Sequence, residues 1–340
     1  MNFLNLFLLV SLILPANFSN ASAKVINTWE DAQKIQDLAK AIAGHKDPEE
    51  KSFKEHSIYN QFVHEKWDRL KELSLNGAIL FEEKELSQKI NSPKQIFYPF
   101  GGPDMVYPLI LFPKAKTYIL VGLEPAGSIE GANQGLDYAH LQKVMSNIFN
   151  SGFFVTDRMN YNLKEFGTLP VLLGLISKMG YIPTRIEEVV LEHLPGIKID
   201  FESSTGEKKE LYYYSGDLRK IDPSIFGPSD VGFIKCCSYF MHGNDFPKLK
   251  NYLLNIVPFL LQDDTGIPYT TLKNASKEVT LYGFYEKPYG QDFPWAKQSL
   301  LAEHYKNKEK VKDLGFRIGY GFGRAPSNLQ LATQKTGDAK

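Results

Sequence analysis

Two periodicities divide the chain. Up to about residue 92 apolar residues recur every three or four positions, and beyond it short apolar runs of strand length alternate with helical stretches. Trp29, Ala32, Ile35, Leu38, Ala39 and Ile42 share one helical face behind Thr28 as N-cap, and Gly44-His45-Lys46-Asp47-Pro48 stops that helix. Ile58, Phe62, Trp67, Leu70 and Leu73 predict a second helix over about 57–75, so residues 24–92 read as a helical N-terminal layer.

The stretch Gln95–Gly127 organises the remainder of the chain. Ile96, Phe97, Tyr98 and Phe100 are strand formers, with Pro99 marking a short or edge strand. Gly101-Gly102-Pro103 demands a sharp turn, and Asp104 is placed to cap an apolar helix over Met105–Phe112. Tyr118–Leu123 is a continuous apolar run, the signature of a strand covered on both faces, and it ends at Glu124-Pro125. Helices are predicted next over Leu136–Phe149 and Thr168–Met179. Three strand-like segments, VVLEHL, IKIDFE and KELYYY, occupy 187–214 around a Ser203–Gly206 turn, as an inserted hairpin or an antiparallel sheet edge. Further strands are predicted over Val231–Ser238, Phe259–Leu261, Val279–Tyr285 and Phe316–Phe322, with helices after Asp245 and over Trp295–Tyr305, and a fraying tail from about Gln330. Strands alternating with helices predict an α/β fold: a Rossmann-like, mostly parallel sheet with helices on both faces and antiparallel additions late in the chain. Residues 93–330 form this α/β domain, with 331–340 as its tail.

The first residues change the picture. Phe3–Leu14 is apolar but for Asn5 and Ser11, and Pro15 and a polar stretch lead to Ala21-Ser22-Ala23, a small-residue cleavage pattern. This predicts a signal peptide over 1–23, with Lys24 first in an exported chain, periplasmic or secreted; the n-region departs from the usual pattern in having no Lys or Arg. The run is too short to span a membrane, which takes about 20 residues, so no stable span is expected after cleavage. Acidic and basic residues balance at 39 each, which argues against nucleic acid as partner. Cys236 and Cys237 are adjacent, a geometry that disfavours a bond between them, and no spacing of Cys and His predicts a metal.

In open α/β sheets ligands bind beyond the carboxyl ends of the strands. The predicted strand ends carry Gly101, Gly102, Asp104 and Glu124, then Ser238, His242, Asp263 and Asp264, so a small polar ligand is expected there. His242 is a candidate base, and Asp263 and Asp264 are candidate acid–base groups, set against the simpler reading of Asp263–Gly266 as a turn. Arg324, after Gly319, Gly321 and Gly323, is a candidate clamp for a carboxylate or phosphate. GxSxG nucleophile motifs are absent. The run Tyr212-Tyr213-Tyr214 offers either a stacking surface or hairpin packing.

The Gly101–Glu124 spacing is close to the ~20 residues between a phosphate-binding turn and a ribose-holding acid. With LFPKAKTYILVGLEP (111–125) it resembles the start of class I, Rossmann-like S-adenosylmethionine methyltransferases. That resemblance implies that Glu124 holds the cofactor ribose and that Gly101 and Gly102 face its methionine end; the turn departs from the family in reading GGPD rather than GxG. The YPF turn running to Asp104 (98–104), the GLEP strand end (122–125), SYFMH (238–242) and LQDDTGIPY (261–269) also resemble a family of bacterial exported proteins of uncharacterised function. These features admit three readings: an exported α/β protein with a polar ligand site at its strand ends, an active or relic methyltransferase, and a non-catalytic envelope module binding protein or glycan through its aromatic hairpin.

Overall fold

The computed structural model of the chain describes residues 22–45, 53–133, 137–155, 163, 166–275, 277–288, 293–307, 310–323 and 327–334. The N-terminal segment to residue 21, Arg324 and the tail from 335 lie outside the described residues.

The elements run β1 (Lys24–Trp29), α1 (Ala32–Ile42), α2 (Phe53–Leu70), α3 (Asn76–Phe81), β2 (Gln95–Pro99), α4 (Val106–Leu111), β3 (Thr117–Gly122), α5 (Ile129–Asn133), α6 (Tyr138–Ser151) and α7 (Leu169–Lys178). They continue β4 (Ile182–Leu191), β5 (Leu194–Glu202), β6 (Lys208–Ser215), β7 (Val231–Ile234), α8 (Pro247–Asn255), β8 (Phe259–Gln262), α9 (Tyr269–Asn274), β9 (Lys277–Gly283), α10 (Ser299–Lys306), β10 (Val311–Lys312) and β11 (Asn328–Gln334).

Among the described residues one sheet of 11 strands has the order β1-β4-β5-β6-β3-β2-β7-β8-β11-β9-β10. β6, β3, β2, β7 and β8 are mutually parallel, and β11 alone runs antiparallel between β8 and β9. Numbered among themselves, the seven strands from β6 to β9 read 3-2-1-4-5-7-6, the doubly wound order with one antiparallel strand slotted in. β4, β5 and β1 extend the other edge as an antiparallel ribbon. The expected Rossmann-like α/β sheet is thus present, and the 187–214 segment forms its antiparallel edge together with the third parallel strand.

Alternation along the central strands shows why both faces are covered. Ile96, Tyr98, Tyr118, Leu120, Leu211 and Tyr213 point into one core with α1, α2, α6 and α7. Phe97, Ile119, Val121 and Tyr214 point into a second core with Leu249, Tyr252 and Leu253 of α8. Among the described residues no helix is long and apolar enough to cross a membrane.

Several elements refine or depart from the sequence expectation. Lys24–Trp29 is a strand, and the helix after it is capped by Asp31, whose side chain accepts from Lys34 N, rather than by Thr28. Pro99 closes a strand of five residues, the short alternative of the expectation, and β2 tolerates it in the sheet interior because as the last residue it forfeits little of the ladder. Asp104 makes no cap: α4 starts at Val106 without a side-chain hydrogen bond at its N-terminus. The glycine-rich 316–322 stretch holds only a short 3₁₀ turn at Gly319–Gly321, while Asn328–Gln334, which takes in the start of the tail expected to fray from about Gln330, is a strand in the sheet interior. Leu329 and Leu331 alternate with polar residues there and satisfy the pleat, which Gly319-Tyr320-Gly321 cannot.

Candidate functional site

A cleft of about 360 Å³ opens over the carboxyl ends of β6, β3, β2 and β7. The chain leaves β2 for β3 and β6 on one side and returns to β7 on the other, so the cleft sits at the switch point of the doubly wound order.

Glycines let β2 and β3 meet there. Gly102 has φ +54°, and a Cβ on it would lie 3.4 Å from both carboxylate oxygens of Glu124. A Cβ on Gly122 would lie 2.7 Å from Tyr213 Oη and 2.9 Å from Gly102 Cα, and would also collide with the Glu124 carboxylate. Glu124, which lies just beyond β3 and lines the cleft, is 2% exposed. The Tyr213 hydroxyl donates to its carbonyl oxygen at 2.9 Å and lies 3.3 Å from Oε2. Gly101 packs against the Tyr98 ring, where a Cβ would sit 2.7 Å away.

Asp104 faces inward, away from the cleft. Its Oδ2 lies 2.7 Å from Lys235 Nζ and accepts from the Tyr98 hydroxyl at 3.1 Å, while Oδ1 is buried with no hydrogen-bond partner among the described residues. Lys235 Nζ also donates to the Gly152 carbonyl at 2.7 Å and stands 4.5 Å from the centre of the Tyr107 ring. One ammonium therefore ties the turn after β2, the end of β7 and the end of α6, three segments bordering the cleft. Sequence reasoning missed Lys235; the available signal was a lysine inside an apolar, strand-like run.

Asp263 and Asp264 are buried behind β7 rather than in the cleft lining. Asp263 accepts from Cys236 N at 2.9 Å and from Thr265 N at 3.0 Å, which makes it a turn-forming side chain linking two strand ends. Burial, reinforced by the neighbouring Asp264, pushes its carboxyl up to about 7. Asp264 is likewise pushed up by burial, while accepting from Asn328 Nδ2 and the Tyr239 hydroxyl, both at 2.8 Å. His242 Nε2 lies 3.0 Å from the Asp264 carbonyl oxygen, and burial moves the imidazole below its ordinary value. The three side chains expected to do acid–base work thus lie outside the cleft lining, each held by hydrogen bonds of its own. Arg324 lies outside the described residues. Tyr213 and Tyr214 are buried, so the tyrosine run presents no contiguous exposed patch.

Asp217 and Arg219, which sequence reasoning did not single out, stand just after β6, the guanidinium lying 2.9 Å (Nε) and 2.8 Å (Nη2) from the two carboxylate oxygens. Cys236 and Ser238 stand just after β7, and Phe153, Phe240 and Tyr320 close the opposite end. Of the described non-glycine residues with positive φ, Phe100 (63°), Cys236 (52°), Ser238 (51°) and Tyr239 (58°) lie in the two loops around this cleft. Left-handed backbone at such residues costs of order 1 kcal/mol each and clusters where a site is held in shape. Among the described residues no group of three or more His, Cys, Asp or Glu side chains is placed to hold a metal ion.

No protein-family model matches the chain, and no curated protein matches it. Solved structures similar to it include the plantazolicin methyltransferase BpumL in complex with SAH, at 10% identity over 89% of this chain and 96% of that one, with a TM-score of 0.30. The methyltransferase domain of bacterial CtHen1 is similar at 10% identity over 77% of this chain and 100% of that one, with a TM-score of 0.32. An O-methyltransferase family protein from Burkholderia thailandensis is similar at 10% identity over 82% and 73%, with a TM-score of 0.27. Likenesses of this size transfer no residue role, and the site rests on the chain's own strands and side chains.

Proposed function

We propose that the cleft binds an S-adenosyl nucleoside and that the chain is built as an S-adenosylmethionine-dependent methyltransferase. The observation that carries this reading is the Glu124 carboxylate, held over Gly102 at the carboxyl end of the strand beside β2. From that position an acidic residue accepts hydrogen bonds from ribose hydroxyls in doubly wound folds. The charge of the lining favours a nucleoside without phosphates. Among the described lining residues the one basic side chain is Arg219, and Asp217 already holds it with both oxygens. A dinucleotide requires donors for its diphosphate, whereas a sulfonium nucleoside is a cation suited to Glu124, Asp217 and Asp245.

In this reading Glu124 holds the ribose, and the turn containing Gly101 and Gly102 faces the methionine end. Asp104 and Lys235 bind each other, so the amino-acid end of the ligand falls to backbone groups of that turn. Such a ligand supplies an electrophilic methyl group when bound; the protein's part is to orient it and exclude water. Calorimetric titration of the full chain with S-adenosylmethionine and S-adenosylhomocysteine tests the reading. One-to-one binding is expected, about tenfold weaker in Glu124→Gln through loss of a charge-assisted hydrogen bond. Absence of binding by both ligands, or equal affinity in Glu124→Gln, sinks it.

We further propose that residues 1–23 are a cleaved signal peptide. Supporting this, β1 begins at Lys24, so cleavage after Ala23 leaves the first element among the described residues intact. The intact mass of the protein in each cell fraction decides it: a chain beginning at Lys24 outside the cytoplasm is expected, and full-length protein confined to the cytosol refutes export.

A further inference from the structure

The cleft has two chemically distinct ends. Over β6 and β3 it is charged, with Asp217, Arg219 and Glu124. Asp245 belongs to the other end: it directly precedes Phe246, and its carboxylate lies close to the Gly243 backbone on the loop after β7. Three strand steps of ~4.8 Å separate β6 from β7, so the far end lies roughly 14 Å away. There the described lining is aromatic, with Asp245 as its one charged side chain: Phe153 meets Tyr320 edge-on at 5.1 Å, and Phe100 packs against Phe240 at 6.1 Å and Phe246 at 5.2 Å. Phe240, 51% exposed, stands at the mouth.

One polar device sits among these rings. Ser238 Oγ and Tyr320 Oη are 3.0 Å apart, and Tyr320 Oη lies 3.3 Å from the Cys236 carbonyl oxygen. Burial moves the Tyr320 phenol above its ordinary value, so it remains a hydroxyl. Asp263 and His242 are engaged elsewhere: Asp263 accepts from Cys236 N and Thr265, and His242 is bonded to the Asp264 carbonyl. Among the described lining residues the charge at this end is the Asp245 carboxylate, which repels an anionic ligand.

We propose that the aromatic end of the cleft takes an aromatic ring without an anionic group and with a hydrogen-bonding substituent, which the Ser238–Tyr320 hydroxyl pair reads. The inference rests on the nucleoside reading for what fills the charged end, and it names the chemical class of the second ligand. Edge-to-face ring contacts supply affinity without charge, and a half-buried hydroxyl pair discriminates against a ligand that cannot bond to it.

The test uses the full chain and 1-naphthol as probe, with naphthalene and naphthalene-1-sulfonate as comparators, by calorimetry or ligand-observed NMR. Naphthol is expected to bind at least about fivefold more tightly than either comparator, the worth of one net hydrogen bond. Ser238→Ala and Tyr320→Phe should each weaken naphthol about fivefold while leaving S-adenosylhomocysteine within about twofold. Phe240→Ala, at a 51% exposed position, should also weaken naphthol. Naphthol that fails to bind, that binds no better than the sulfonate, or that ignores all three substitutions overturns the proposal. Loss of S-adenosylhomocysteine binding with naphthol binding intact instead refutes the nucleoside reading and leaves the aromatic end standing.

Discussion

Lys235 Nζ lies 2.7 Å from Asp104 Oδ2, and both side chains are 1% exposed. Removing one partner of such a pair strands the other in a dry interior, at a cost of about 3–5 kcal/mol, whereas replacing both by apolar groups is often neutral. Lys235→Met is therefore expected to lower unfolding stability in urea by about 3–5 kcal/mol. Asp104→Leu combined with Lys235→Met should recover much of that loss. A double variant as unstable as the sum of the singles contradicts a paired role.

The approach of β2 to β3 depends on Gly122. A methyl group there points at Tyr213 Oη, at Gly102 Cα and at the Glu124 carboxylate. Gly122→Ala should displace Glu124 and weaken S-adenosylhomocysteine by at least as much as Glu124→Gln, about tenfold. Gly180→Ala is the control: it has no neighbour within 4 Å of its Cβ position but φ +84°, so it carries backbone strain alone. Its expected signature is a lower Tm with unchanged affinity. Similar ligand loss in both variants would show that general destabilisation, and not the Glu124 position, is responsible.

What the sequence made legible was local. The apolar runs of β2 and β3, the glycine turn between them and the acid beyond β3 lie within about thirty residues, and pattern alone placed them at a sheet's carboxyl edge. The partner of Asp104 was not legible, because Lys235 arrives from a strand on the opposite side of β2 and a lysine in an apolar run gives no direction. β11 was misplaced for a related reason. GYGFG carries aromatic residues and resembles a strand, while NLQLATQ looks like a polar tail until β8 and β9 are present on both sides of it. Asp263 and Asp264 were legible as a turn, and the turn reading describes their hydrogen bonds. Their burial came only from tertiary packing.

That burial predicts a pH dependence. In the unfolded chain an aspartate titrates near its ordinary value, ~3.9, but in the folded protein Asp263 retains its proton up to about 7. The folded state thus binds more protons across this interval, so this group's contribution is fully present in acid and is lost as pH rises through about 7. Urea denaturation of wild type and Asp263→Asn should show wild-type stability falling relative to the variant between about pH 5 and 7, by at most about 1.4 kcal/mol per pH unit. A difference that is flat, or that grows toward wild type with pH, refutes the assignment.

Gln330 gives a prediction with the opposite sign for stability. Its side chain is 0% exposed on β11, between Gln262 of β8 and Leu281 of β9, and neither amide atom finds a hydrogen-bond partner among the described residues. Gln262 differs, because its amide donates to the Ile267 carbonyl at 2.7 Å and accepts from Ile267 N at 2.9 Å. An unsatisfied buried amide costs about 1–3 kcal/mol, and an apolar side chain of similar volume removes that cost. Gln330→Met is expected to raise stability by about 1 kcal/mol or more, and Gln262→Met to lower it. Because both substitutions delete the same chemical group on adjacent strands, their difference isolates hydrogen-bond satisfaction from β propensity. Loss of stability in Gln330→Met would mean that the amide is satisfied in solution by a buried water, and a water held between β8, β11 and β9 would then belong to the sheet's structure.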